Sequence, residues 1–164
     1  MKLLCELQII FAWVDKVNKK QMSRVLVFGD NNVDQLKRLL FGPVFHLESH
    51  NGLTTEQVVS TMMWELEAML NEDEKYDSVV IILGANDLSM KETTEYNLRK
   101  INELVCRYTR KCLFVDLHCA PIQTQLPTIP VNLHPDLHFE TNGIRLNPRG
   151  ARLVATNIRW MLMK

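Results

Sequence analysis

Apolar residues occur along this chain in two patterns, short unbroken runs and longer stretches at helical spacing, and the two alternate. Arg24-Val-Leu-Val-Phe28 leads into Gly29-Asp30, and Val79-Val-Ile-Ile-Leu83 is closed by Gly84. A short unbroken run that stops at a glycine predicts a strand covered on both faces, as in a parallel sheet. Leu113-Phe-Val-Asp-Leu117 predicts a further strand, and Val44 to Leu47 and Leu137-His-Phe139 predict two shorter ones. Between them the period is helical. Leu3, Leu7, Ile10, Phe11, Val14 and Val17 fall on one helical face, as do Val33, Leu36, Leu39 and Leu40. Thr54 and Gln57 have the spacing of a capping box and open a helix to about Leu70, with Val58, Met62, Leu66 and Met69 inward. Leu98, Ile101, Leu104, Val105 and Tyr108 mark another helix, and Pro148 starts a last one carrying Ala151, Val154, Ile158 and Met161. Ala120 to Pro135 is proline-rich and aperiodic, which predicts a long loop.

Alternating strands and helices imply an α/β protein, a three-layer α/β/α sandwich around a mainly parallel sheet. In such sheets the polar chemistry gathers beyond the carboxyl ends of the strands. Here those ends carry Gly29-Asp30-Asn31, Gly84-Ala-Asn86-Asp87 and the segment from Asn142 to Arg145.

Composition acts mainly by exclusion. A chain of 164 residues, 46% hydrophobic, suits one compact domain, read as an amphipathic helical extension over 1–20 and a domain over 21–164. Nineteen basic residues balance 19 acidic ones, so no global field draws in a polyanion or an anionic membrane, and any such site has to be local. The first residues superficially resemble a signal peptide, but Glu6 and Asp15 interrupt them and no small-x-small cleavage site follows. No run approaches the ~20 apolar residues of a membrane span. Cys5, Cys106, Cys112 and Cys119 form no CxxC pair and no zinc spacing, so reduced thiols of a cytoplasmic protein, without cofactor or metal, are the expectation.

The strand-end residues also carry a resemblance. Val27-Phe-Gly-Asp-Asn31 resembles the GDS block of the SGNH (GDSL-type) hydrolases, and Gly52 fits the glycine of their second block. Gly84-Ala-Asn-Asp87 matches GxND, and Asn142-Gly-Ile-Arg-Leu-Asn-Pro-Arg-Gly150 resembles DxxHLNxxG. Four blocks in the family's order are a far stronger signal than any one of them. The resemblance implies the flavodoxin-like SGNH fold, with a serine nucleophile in the first block and an aspartate and histidine in the last.

This chain departs from that pattern at all three positions, which hold Asn31, Asn142 and Arg145. A hydroxyl needs a base to take its proton, and the base needs a carboxylate to orient it. A carboxamide has no nucleophilic hydroxyl, and a guanidinium stays protonated at physiological pH and cannot be the base. The resemblance therefore implies a pseudo-hydrolase that keeps only the oxyanion positions, Gly52 and Asn86. Plainer roles are a helix N-cap for Asn31 and a loop tie for Asn86.

Arg145, Arg149 and Arg152 gather around the converted block, and Lys37 and Arg38 lie on the helix after Asn31. Together they are the candidate ligand-binding set, for RNA or another anionic ligand. SGNH-like relatives without the triad include the RNA-binding OSK domain of Oskar, which is the source of the RNA expectation. A protein-interaction scaffold is the alternative. An esterase or lipase with relocated residues such as His138 and Cys119 ranks last. His134, Asp136 and His138 lie close in sequence, but no further metal ligand follows at a suitable spacing, and they read as loop.

Overall fold

The computed structural model describes residues 23–71, 76–87, 91–117 and 126–164. The helix expected over 1–20 and the His118–Cys119 pair lie outside them. The strands are β1 (Val25–Gly29), β2 (Phe45–Ser49), β3 (Ser78–Leu83), β4 (Lys111–Asp116) and β5 (Thr128–Ile129). All pair in parallel, in the order β2-β1-β3-β4-β5.

The unbroken apolar runs have a direct cause. Successive residues of a strand face opposite sides of the sheet, and here both sides are covered. Val25, Val27, Val80, Ile82, Leu113 and Val115 pack on one face against α1 (Asn32–Leu36) and α5 (Pro148–Leu162), through Val33, Leu36, Val154 and Ile158. Leu26, Phe28, Val79, Ile81 and Phe114 pack on the other, against α2 (55–70) and α3 (Lys91–Tyr108), through Val58, Leu66, Leu70, Ile101 and Val105. Helix α2 consists of an α-helical turn Thr55–Gln57, a π-helical stretch Val58–Met62 and an α-helical segment Met63–Leu70. Its capping box is formed in full, by Thr54 and Gln57. Within the π stretch the Thr61 hydroxyl donates to Gln57 O (2.7 Å), a side-chain bond that competes with the regular ladder.

Several expectations need correction. The second strand lies at Phe45–Ser49, displaced toward the carboxyl end from Val44–Leu47. No strand forms over 137–139: Pro135, with its fixed φ, opens the short helix α4 (Pro135–His138), and Phe139 makes only one antiparallel bridge, to Leu146. The aperiodic 120–135 stretch hides β5, whose two residues are too few to show a period. Helix α3 begins well before Leu98, because its first turns bury Thr94 and Asn97, polar residues that an apolar period does not detect.

Candidate ligand-binding site

In the order 2-1-3-4-5 the connections reverse between β1 and β3, and the crevice beyond that point is where open α/β sheets bind ligands. Here strand-end side chains bond to one another across it. Gly29 lies so close to β3 that a Cβ would stand 2.0 Å from Ile82 O. The next residue, Asp30, is fully buried. Its Oδ1 accepts from Asn32 N (2.8 Å), and its Oδ2 accepts from Asn86 Nδ2 (2.9 Å). Burial pushes the carboxyl up to about 6; hydrogen bonds from Asn32 oppose this, the nearby Asp87 carboxylate adds to it, and the Asn86 bond opposes it.

Asn86 Nδ2 also donates to Leu53 O (3.4 Å), so its bonds tie three loops together. Asp87 Oδ1 accepts from Thr55 N (3.1 Å) and from the Thr55 hydroxyl, to which Asn97 Nδ2 donates in turn (3.3 Å). Gly52 takes φ +68 in an exposed turn closed by Leu53 N on His50 O (3.3 Å). The glycine is needed for that turn. Of the two oxyanion positions, Asn86 already spends its side-chain donor within the protein.

Asn31 stands at the start of α1, yet its side chain does not cap the helix. Capping requires an extended residue, and Asn31 is helical (φ −61, ψ −9). Asp30 takes the adjacent Asn32 N–H instead, and Asn31 Oδ1 is buried with no partner. Asn32, which sequence reasoning passed over, is the stronger element. Its buried side chain donates to Ile144 O (3.1 Å) and accepts from Leu146 N (2.7 Å), which brackets Arg145 and fixes it beside α1. A polar residue at the start of an amphipathic helix gives no sequence signal of such a reach. Asn142 Oδ1 accepts from Ile144 N (3.0 Å) and Arg145 N (3.1 Å), an Asx turn that shapes the same segment. Asn147 caps α5 through Arg149 N (2.9 Å) and Gly150 N (3.0 Å), with Pro148 at the first position.

The Arg145 side chain lies over α1. With the Gln35 carboxamide turned so that its oxygen faces the guanidinium, that oxygen accepts from Nη2 (2.6 Å) and Nε (2.8 Å). Glu140 Oε1 stands 4.0 Å from Nε. Arg145 thereby lines a cleft of 430 Å³ between the two helices of this face. Asp34, Gln35, Arg38 and Leu39 form one wall, and Pro148, Ala151 and Arg152 the other. The side chains of Arg38 and Arg152 are exposed and make no hydrogen bond or ion pair with any described residue. Asp34 is engaged by Lys37 Nζ (2.6 Å) and Ser49 Oγ (2.7 Å), and these bonds hold its carboxyl below the usual range.

Of the candidate basic residues, the fold thus brings together Arg38, Arg145 and Arg152. Lys37 turns to Asp34, and Arg149 does not line the cleft. Gln35 and Leu39 were not legible as site residues, because one reads as helix surface and the other as core.

His138 Nδ1 accepts from His134 N (2.7 Å), a local bond that closes the turn of α4. Among the described residues, no group of three His, Cys, Asp or Glu could hold a metal ion, and no helix is long and apolar enough to cross a membrane.

A five-stranded parallel sheet of order 2-1-3-4-5 between two helical layers, with these blocks at the strand ends, has the architecture of the SGNH hydrolases. The chain is similar in structure to a Slackia heliotrinireducens protein described as a candidate SGNH hydrolase, with a TM-score of 0.65 at 13% identity, covering 87% of this chain and all of that one. It is also similar to a carbohydrate esterase of family 3 from Talaromyces cellulolyticus (TM-score 0.61, 12% identity, 87% and 97% of the two chains). A member of a carbohydrate acetylesterase family from Sinorhizobium meliloti gives a TM-score of 0.58 at 15% identity, over 86% and 97%. No protein-family model matches the sequence, and no curated protein matches it.

Proposed function

We propose that this chain is a non-hydrolytic SGNH-type domain that binds an anionic ligand, with RNA among the candidates. The observation that carries the reading is the use made of the converted positions. Arg145, where the resemblance implies the general base, is a permanent cation held by Gln35, and Asn142 spends its acceptor on backbone N–H groups. The hydroxyls bonded near the strand ends also favour it: Ser49 donates to Asp34 and Thr55 to Asp87, so each faces a carboxylate and not an imidazole.

The test is hydrolysis of p-nitrophenyl acetate by the full chain, beside Asn31→Ala and the triple change Asn31→Ser, Asn142→Asp, Arg145→His. Wild-type turnover equal to that of Asn31→Ala is the expected result. Turnover well above that variant would overturn the non-hydrolytic reading. A thermal-shift series with RNA oligonucleotides and small anions tests the binding half, since a ligand bound by the folded state alone raises its stability.

A further inference from the structure

We propose that the cleft between α1 and α5 is a site for a terminal phosphate monoester, carried by a free nucleotide or by the 5′ end of an RNA strand. The inference rests on the anion-binding reading and narrows it to one site and one chemical group. Three arginines line the cleft from separate parts of the chain: Arg38 from the turn after α1, Arg145 from the bracketed segment and Arg152 from α5. Two of them have no partner among the described residues. Unpaired guanidinium groups from different elements facing one cleft repel each other, and an anion placed between them relieves that repulsion. The one carboxylate in the wall, Asp34, relieves this only in part: it attracts Arg145, but its Oδ1 is already bonded by Lys37 and Ser49.

The group can be specified from charge and geometry. A guanidinium is a planar fork suited to two oxygens of one anion, and the two unpartnered forks of Arg38 and Arg152, with the Nη1 donors of Arg145 that Gln35 leaves free, exceed what a carboxylate or an internal diester offers. A phosphate monoester brings three free oxygens and a charge between −1.5 and −2 at neutral pH, by the general chemistry of such groups. Arg145, held by Gln35, needs little ordering on binding, whereas exposed Arg38 and Arg152 are free to close onto the group. The volume of 430 Å³ is well beyond that of phosphate alone, and Leu39, Pro148 and Ala151 give the remainder an apolar wall. The lining has no aromatic ring, so recognition centres on the phosphate and leaves base identity unread.

The test is fluorescence anisotropy of the full chain with an RNA decamer bearing either a 5′-phosphate or a 5′-hydroxyl, in competition with AMP, ribose 5-phosphate and inorganic phosphate. Preference for the phosphorylated end by about ten-fold, lost to a similar degree in Arg38→Glu and in Arg152→Glu, is the expected result. Lys100→Glu, on a helix of the opposite face, is expected to leave binding unchanged. Competition by AMP at low concentration identifies the free nucleotide as a source, and its failure beside tight binding of the phosphorylated strand identifies the RNA end. Equal binding of the two decamers, or binding that survives both arginine changes, overturns this site while leaving the anion-binding reading intact. Absence of binding to every probe overturns both. Thermal denaturation of each variant confirms the fold, which these exposed side chains, one on a turn and one on a helix, do not support.

Discussion

Asp30 makes stability depend on pH in a direction opposite to that of most paired carboxylates. Its carboxyl is raised from 3.8 to about 6 by burial, so the folded state holds the proton more tightly than the unfolded chain does. Stability from this group is therefore complete below about pH 4 and is lost as pH rises through 6. At 1.36 kcal/mol per pH unit, that displacement corresponds to about 3 kcal/mol. Asp30→Asn removes the titration. Urea denaturation of both proteins, followed by circular dichroism between pH 4.5 and 8, gives the difference in unfolding free energy at each pH. Titrations common to both chains cancel in that difference. The stability of the wild type relative to the variant should fall as pH rises, with most of the change between pH 4.5 and 7. Curves that run parallel, or that diverge in the opposite direction, would refute the assignment of a raised acid to this position.

Two further substitutions test the frame around the cleft. Asn32→Ala removes both bonds that bracket Arg145 and leaves the Leu146 N–H without its partner, at an expected loss of roughly 2 to 3 kcal/mol in urea denaturation. A loss below about 0.5 kcal/mol would mean that the bracket does not hold the segment. Gly150→Ala places a Cβ 2.1 Å from His138 O, and this backbone overlap outweighs the ~1 kcal/mol that alanine gains over glycine in a helix. A net loss of about 2 kcal/mol is expected from the melting curve, and a gain would contradict the close packing of α4 on α5.

The fold was legible where burial and period coincide. The runs at Val25–Phe28 and Val79–Leu83 alternate between two covered faces, and both are therefore unbroken apolar stretches of the sequence. Elements held by polar contacts left no such trace. The first turns of α3 bury Thr94 and Asn97, and β5 consists of two residues that pair with β4 across a long connection. At the site, residue type identified the lost chemistry of Asn31, Asn142 and Arg145. It did not reveal that Asp30, and not Asn31, receives the Asn32 N–H, which depends on backbone angles. Three of the five suspected basic residues share a cleft because the Asn32 bracket places one helix start beside another. That contact spans 112 residues and has no local signature.

The same span sets the order in which the cleft comes into being. One wall lies just after β1 and the other in the last helix, so neither can form a site until the intervening chain has been folded into sheet and helices. Closing so long a loop is paid in chain entropy and falls late in folding. The cleft is thus absent from any partly folded form in which α5 has come away. An anion seated there selects the fully closed protein, so its binding free energy appears as resistance to global unfolding and slows the detachment of α5.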